Sequence, residues 1–243
     1  GNEKIWGKGN TSNGPMSAQT AKELYVSLKT PEAATIYGVM ALPTPVSLPK
    51  QAATGFDLRQ TDAAFWKVFD FQFIDGKPYD QATFEASIPV AVITETVAQT
   101  IFGTTEGIVG KEFLLNHAPY QVCGVVKDVS TLATNAYGQL WIPYTAGGMD
   151  KDTEADGHMG NMSCTILAKS RDDFDAIREE ANRRLTEYNK LIGVKKADKL
   201  ISEYRFDAET EKKYGLPYFM VEYSNNFLNV KWFDKKGSRL PQA

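Results

Sequence analysis

Histidine and cysteine, the residues that most often supply a catalytic base or nucleophile, are scarce in this chain: two of each occur among 243 residues. His117 stands in a predicted hairpin turn and His158 in a predicted loop, and neither has a serine or cysteine at a spacing typical of a catalytic pair. The Gly-x-Ser-x-Gly turn of the α/β-hydrolases is absent. We therefore predict no catalytic residues, although a hydrolase whose triad assembles only in three dimensions stays open as an alternative.

The chain also lacks long apolar runs and an excess of basic charge. No stretch of about 18 apolar residues occurs, so no membrane-spanning helix is predicted, and no secretory leader is recognisable in the first residues. The net charge of −3 offers no basic surface, so a nucleic-acid partner is not expected. With 42% hydrophobic and 23% charged residues, the composition is that of a folded globular protein.

Loops that bind phosphate or dinucleotides are missing as well. Residues 105–112 resemble a phosphate loop only in part, because Thr105 stands where its first glycine belongs and Glu112 follows Lys111 where a magnesium-binding hydroxyl is needed. No dinucleotide fingerprint follows any predicted strand. The segment is interpreted as a turn between a helix and a strand, and no cofactor is predicted.

The two cysteines do not define a redox compartment. Cys123 and Cys164 each lie in an apolar segment typical of a strand. One interpretation is that both are small buried apolar residues. The other is a disulfide, which requires that the two strands face each other.

One acidic loop has part of the pattern of a calcium site. Asp150, Asp152, Glu154 and Asp156 alternate along the chain and are followed by a glycine, as in the first half of a calcium-binding loop. The bidentate carboxylate of the second half is absent, since residue 163 is a serine, and the flanking residues are not helical in pattern. We predict no metal site. Calcium at these four residues is an alternative to a solvated acidic loop.

Strands and helices alternate at both ends of the sequence around a β-rich middle, which predicts a layered α/β arrangement. Apolar periodicity predicts strands at residues 34–40, 56–61, 71–74, 90–94, 111–115, 120–126, 140–144, 163–168 and 218–223. It predicts helices at 18–28, at 95–102, after a cap at Asp62, and from 170–173 to a stop at Gly193. Segments 43–51, 79–87 and 146–162 are predicted loops, and Pro143 predicts an edge or an end of its strand.

Residues 90–129 are the most informative stretch. An apolar strand, Val-Ala-Val-Ile-Thr, leads into a short helix that ends at Phe102-Gly103, and a Gly-Lys pair at Gly110-Lys111 precedes a hairpin whose second strand reads Val-Cys-Gly-Val-Val. The sequence closely resembles the periplasmic core domain of MacB-type ABC transporter permeases (the MacB/FtsX-like family). The resemblance extends over most of the chain and rests on the order of its segments.

Further segments carry the resemblance on both sides of this stretch. The aromatic-rich residues 65–73 and Gly76-Lys77-Pro78-Tyr79 are similar to the family's approach to a Gly-Arg pair, with Lys77 in the arginine position, and Leu-Trp-Ile-Pro-Tyr at 140–144 is similar to a later strand. The chain departs from the family at Ile108, where most members have a proline, so the turn before Gly110 is expected to differ.

The resemblance implies an α+β fold with two lobes. A porter-like α/β lobe would be built from residues 1–62 and 146–243, and a small mixed β-rich lobe would be inserted at 63–145. The family has no catalytic residues in this domain, because ATP hydrolysis belongs to a separate subunit or domain.

The implied function is that of an extracytoplasmic module at the periplasmic face of the bacterial cytoplasmic membrane. It would couple ATP-driven motion of the permease's own transmembrane helices to substrate export or to partner signalling, with a hinge near the lobe crossovers at Asp62 and Tyr144. The expected partners are those helices, the ATPase, and a periplasmic adaptor or substrate protein. A stand-alone periplasmic ligand-binding protein, calcium-dependent through residues 150–157, is the alternative from another class.

Overall fold

The computed structural model of the protein describes residues 15–151, 158–203, 218–224 and 227–233, and their side chains as far as residue 191. These residues group into two compact units, one that ends at Arg178 and one that begins at Glu179, and each is described by itself. No helix in these ranges is both long enough and apolar enough to cross a bilayer.

The elements alternate between short helices and short strands. The helices are α1 (Ala18–Ala21), continued by a π-helical turn (Lys22–Val26), α2 (Phe65–Val68), α3 (Gln81–Glu85), α4 (Glu95–Phe102), α5 (Tyr144–Gly147) and α6 (Phe174–Glu203), with 3-10 turns at Met149–Lys151 and Arg171–Asp173. The strands are β1 (Ala33–Gly38), β2 (Leu42–Ser47), β3 (Thr54–Thr61), β4 (Phe73–Gly76), β5 (Val90–Thr94), β6 (Glu112–Leu115), β7 (Ala118–Val126), β8 (Leu140–Pro143), β9 (Met162–Leu167), β10 (Tyr218–Ser224) and β11 (Phe227–Phe233).

Nine strands of the first unit form one sheet in the order β2-β6-β7-β5-β8-β3-β1-β9, with β4 beside β7. Strand β2 also pairs with β3, so that β2, β6, β7, β5, β8 and β3 close into a ring of six strands. The β5–β7 and β3–β8 pairs are parallel and the others are antiparallel. The chain therefore has a mixed α/β fold with a sheet-rich core.

The inside of the ring holds an apolar core, and β5 shows how the sequence builds it. Ala91 and Ile93 point into the ring, while Val92 between them belongs to a second core on the outer face, because successive side chains of a strand face opposite sides. A strand buried on both faces reads as a continuous apolar run, as β5 does. Helix α4 packs Val97 and Ala98 against the inner core.

The predicted path through residues 90–126 is confirmed. Thr94 caps α4 by accepting a hydrogen bond from the Val97 amide, and Gly103 ends the helix in the left-handed region at φ 75°. Strands β6 and β7 form the predicted hairpin, and its two turn residues Asn116 and His117 both have positive φ, the geometry of tight two-residue hairpin turns.

Aromatic side chains form the second core on the outer face of the sheet. Phe65 of α2 is fully buried and lies in edge contact with Tyr37 of β1 and with Trp66, and Trp66 in turn contacts Trp141 of β8. Trp66 and Phe69 are partly buried and pack against the same core as Phe65. Rings at these separations and angles contribute beyond the area that they bury.

Other predicted elements also agree with the structure. The helix expected at 18–28 is α1 with its π-helical turn, and β1, β3, β9 and β10 lie within two residues of the predicted strands. The predicted strand at 71–74 begins only at Phe73.

The prediction of a loop at residues 43–51 was wrong, because most of it is strand β2. Pro43 and Pro45 stand opposite Asp57 and Gly55 of β3 in the antiparallel register. The Pro45 carbonyl accepts a hydrogen bond from the Asn116 amide in the turn of the β6–β7 hairpin. The backbone groups of both prolines therefore lie on the β6 side of β2, where β6 pairs only with Val46 and Ser47. Proline is tolerated where no ladder N–H is needed.

Three further predictions need correction. Residues 79–87 contain helix α3, whose cap Asp80 accepts from the Thr83 amide. Helix α6 does not stop at Gly193 but continues to Glu203, since one glycine costs a helix only about 1 kcal/mol when its neighbours are good helix formers. For Pro143, by contrast, the predicted end of a strand is confirmed, since it is the last residue of β8, which lies between β5 and β3. The predicted 146–162 loop begins with the end of α5 and a 3-10 turn.

The predicted lobe boundary at residues 62 and 63 runs through the sheet. Strands β2 and β3 belong to the first part of the predicted porter-like lobe, yet they pair with β6 and β8 of the predicted inserted lobe. The division into two lobes stays a prediction. In the second unit, the predicted strand at 218–223 is β10, which forms an antiparallel hairpin with β11.

Candidate functional site

Of the four residues considered for calcium, Asp152, Glu154 and Asp156 lie outside the described residues. Asp150 is described: its Oδ1 is buried and has no hydrogen-bond partner among the described residues. Nowhere among the described residues is a cluster of three or more histidine, cysteine or acidic side chains arranged to hold a metal. The prediction of no metal site, and the alternative of calcium at this loop, both stay untested.

The histidines and cysteines lie on different elements of the fold. His117 lies at the tip of the β6–β7 hairpin, while the backbone carbonyl of His158 accepts a hydrogen bond from Ser17. Cys123 in β7 and Cys164 in β9 are both free thiols, so the disulfide considered above is not formed. Burial raises the pKa of each thiol to about 12, which keeps both protonated and weakly nucleophilic at neutral pH.

A buried carboxylate ties together three segments at the junction of β3 and α2. Asp62 accepts from the Thr35 hydroxyl at 2.6 Å, from the Ile36 amide at 2.8 Å and from the Phe65 amide at 3.1 Å. Its own amide donates to the Ile36 carbonyl. Asp62 thus accepts from the first amide of α2, as predicted for a cap, although the N-cap position itself is Ala64. The same side chain also fastens α2 to β1.

Burial dominates the electrostatics of this carboxylate. Asp62 is only 8% exposed, and desolvation raises its pKa to about 6 although its hydrogen bonds favour the ionised form. No lysine or arginine in the described ranges forms an ion pair with it. Its negative charge adds to the effect of burial in raising the pKa of Tyr79 and Tyr144.

An arginine forms a second buried polar centre nearby. The Arg59 guanidinium of β3 is 2% exposed and donates to three backbone carbonyls, from Nε to Tyr137 at 2.5 Å, from Nη1 to Gly38 at 2.6 Å and from Nη2 to Thr134 at 2.8 Å. It also lies over the Tyr37 ring. Desolvation lowers its pKa. Arg59 thus holds the end of β1 and the loop at residues 127–139 against the same strand.

A cleft of about 520 Å³ lies beside β4, α3 and β7. Its lining residues are Gly76, Lys77, Pro78, Tyr79, Asp80, Thr83, Val90, Val109, Gly110, Gln121, Val122 and Cys123. Gly76 must be a glycine, since its φ is 65° and an added Cβ would lie 2.3 Å from the Cys123 carbonyl oxygen. The only thiol in the cleft is the protonated Cys123, so its walls do not form a nucleophile–base pair.

Sequence reasoning found Asp62 through its capping position but missed Arg59. Strand β3 alternates apolar and polar residues, a pattern that predicts a polar face in water. In the structure that face is covered by the loop at residues 127–139. An arginine on a strand carries no signal that a distant loop will bury it.

Comparison with known proteins places this geometry in a family. Residues 5–184 match the MacB-like periplasmic core domain. The "Macrolide export ATP-binding/permease protein MacB" of Rhodospirillum rubrum is 35% identical over 77 residues, covering 30% of this chain and 12% of that protein. The "Pyoverdine export ATP-binding/permease protein PvdT" of Pseudomonas savastanoi pv. phaseolicola is 27% identical over 90 residues, covering 36% and 14%. The matches thus span only a small part of these relatives' length.

Solved structures share the fold. The periplasmic region of MacB from Actinobacillus actinomycetemcomitans superposes with a TM-score of 0.55 at 18% identity, covering 74% of this chain and 76% of that one. The extracellular domain of the noncanonic ABC-type transporter YknZ from Gram-positive bacteria gives a TM-score of 0.54 at 16% identity, covering 72% and 84%. On the match over residues 5–184, this chain belongs to the family of MacB-like periplasmic core domains.

Proposed function

We propose that this domain is the extracytoplasmic part of an ABC transporter permease at the periplasmic face of the cytoplasmic membrane, and that it couples ATP-driven motion of the membrane helices to substrate export or to partner signalling. The observation that carries the proposal is the family match over residues 5–184. The relatives named as export ATP-binding/permease proteins support it.

In this proposal the domain contains no catalytic centre. ATP would be hydrolysed by a separate domain or subunit, and the permease's own transmembrane helices would transmit the motion. A periplasmic adaptor or substrate protein would be the further partner. The chemistry of the described residues supports this division, because both thiols are kept protonated and the buried Asp62 carboxylate accepts three hydrogen bonds from the surrounding fold.

The two predicted lobes and the hinge between them belong to this proposal. A tilt of residues 63–145 against the rest of the chain would shear the β2–β6 and β3–β8 strand pairs. A hinge at Asp62 would also have to break the bonds to Thr35 and Ile36. Motion of the closed ring as one rigid body therefore costs less free energy than motion within the ring, because it breaks none of these bonds.

The location can be tested on the full-length permease in intact cells. Leu132 is 90% exposed, so Leu132→Cys should react with a membrane-impermeant maleimide added from outside. The unmodified protein is the matched control, since its two half-buried thiols should label far more slowly. Labelling that requires disruption of the cytoplasmic membrane would refute an extracytoplasmic location.

A further inference from the structure

The hairpin of β10 and β11 lies beyond the part of the chain that matches the family, which ends at residue 184. Its two seven-residue strands form a sheet of their own, in an unbroken antiparallel register from Tyr218 opposite Phe233 to Ser224 opposite Phe227. A two-stranded hairpin gains stability in water only when it buries one face against something else. The register and composition of these strands indicate what that surface is.

The register divides the hairpin into two unlike faces. Residues at alternate positions of a strand share a face, and directly paired residues share it too. One face, which we call the apolar face, contains only apolar and aromatic residues: Phe219, Val221, Tyr223, Leu228, Val230 and Trp232. Half of the eight residues on the opposite face are polar: Glu222, Ser224, Asn229 and Lys231. The hairpin is therefore amphipathic.

Aromatic residues are concentrated in this hairpin. Six of its fourteen paired positions are Phe, Tyr or Trp, whereas 12% of the whole chain is aromatic. Tyr223 and Trp232 stand at opposite ends of the apolar face. Tyr and Trp combine an apolar ring with a polar group, and they are enriched where a protein meets the headgroup layer of a membrane.

The charge of this part of the chain fits an anionic surface. The chain as a whole has a net charge of −3, but residues 218–243 contain two acidic residues and four basic ones: Lys231, Lys235, Lys236 and Arg239. Three of these basic residues follow within six positions of the end of β11. Clustered Lys and Arg beside an apolar face are typical of segments that lie on anionic bilayers.

We propose that the β10–β11 hairpin lays its apolar face on a bilayer that contains anionic lipids, and that the basic residues after β11 bind the lipid headgroups. The hairpin would lie flat in the interfacial layer, because the outer edges of a two-stranded sheet carry backbone groups that need water. This inference deepens the proposed function and rests on it for the location beside a membrane. Lipid binding can nevertheless fail while outside labelling of Leu132→Cys succeeds, so the two are tested separately.

Binding of the purified chain of 243 residues to vesicles tests the proposal directly. Phosphatidylcholine vesicles with about 30% phosphatidylglycerol should bind the chain at least about tenfold more tightly than vesicles of phosphatidylcholine alone. Raising the salt from about 50 to 500 mM should narrow this difference, because the charges are then screened. Equal binding to both lipids, or no binding to the anionic vesicles, whether or not the chain pairs with a second copy, would overturn the proposal.

One substitution made on each face separates the two faces of the hairpin. Phe219 is on the apolar face and Phe233 is on the opposite face, both at the end of the hairpin away from its turn. Phe219→Ser should weaken vesicle binding about tenfold or more, since one ring fewer then leaves water, and the matched control Phe233→Ser should weaken it by less than about threefold. An equal loss in both variants would refute the assignment of faces.

Fluorescence quenching tests the same contact without a destabilising substitution. Trp232 is the only tryptophan of β10 and β11, and Trp232→Phe keeps an aromatic ring in its place. Anionic vesicles with bromine in the lipid acyl chains should quench the parent chain, and Trp232→Phe should remove most of that quenching while it still binds the vesicles. Quenching that Trp232→Phe leaves unchanged, or its absence when the parent chain is bound, would contradict the contact of the apolar face with lipid.

Discussion

Acidification should stabilise the fold through Asp62. In the unfolded chain this carboxyl has a pKa near 3.8, whereas burial raises it to about 6 in the folded protein. The folded state therefore binds the proton more tightly, and stability contributed by this group is present at low pH and is lost as the pH rises through about 6. Each tenfold change in proton affinity corresponds to about 1.4 kcal/mol, so the ionised carboxylate costs the folded state about 3 kcal/mol.

The substitution Asp62→Asn isolates this contribution. An amide oxygen in the Oδ1 position still accepts from Thr35 and Phe65, but the amide nitrogen in the Oδ2 position then faces the Ile36 N–H. That lost bond costs about 1–3 kcal/mol, and it is offset near neutral pH by the removal of the buried charge. At about pH 7.5 the variant should be nearly as stable as the parent protein. At about pH 4.5 the parent has regained about 2 kcal/mol and the variant has not.

Urea unfolding of both proteins at the two pH values measures the difference. At each pH, the free energy of unfolding of Asp62→Asn is subtracted from that of the parent protein, and the two differences are compared. The contributions of the other carboxyl groups cancel in each difference. Asp80→Asn is the matched control of opposite sign, because hydrogen bonds from Thr83 lower the pKa of that exposed carboxyl, so its contribution is lost as the pH falls. A gap between parent and Asp62→Asn that is the same at both pH values would refute the assignment of a raised pKa to Asp62.

Three further predictions follow from the same contacts. Thr35→Val removes a hydrogen bond that favours the carboxylate and should raise the pKa of Asp62 further, measured by the NMR titration of its carboxyl carbon; a lower value would contradict the geometry. Arg59→Met should cost about 3 kcal/mol and speed amide exchange in residues 130–139, because three carbonyls lose a charged donor; Arg178→Met, which breaks only an exposed ion pair, should cost about 0–1 kcal/mol. Gly124→Ala should cost about 1–3 kcal/mol in thermal unfolding, since its Cβ would lie 2.7 Å from Phe73, whereas Gly55→Ala, with open space around its Cβ, should be close to neutral.

The sequence predicted local structure correctly where a segment itself contains capping residues or a continuous apolar run. Helix α4 has a capping threonine before it and a glycine after it, and β5 is an apolar run that any folded environment would bury. The failures occurred where distant contacts outweigh local preference. Strand β2 contains prolines that argue against a sheet, yet pairing with β3 and β6 outweighs them.

The candidate sites divide in the same way. Asp62 could be predicted as a cap because capping depends on residues three positions away, but its bonds to Thr35 and Ile36 join strands that are distant in sequence. Arg59 gave no local signal, since its three carbonyl partners lie between 21 and 78 positions away.

The sequence by itself determined the family, most of the helices and strands, and the absence of any recognisable catalytic motif, because each of these depends on residue types at short spacing. Only the tertiary structure decided that six strands close into a ring, and that Asp62 and Arg59 are buried without ion pairs to another side chain in the described residues. Strand pairing and burial depend on contacts between residues far apart in the chain, and such contacts leave no periodic signal in a single sequence.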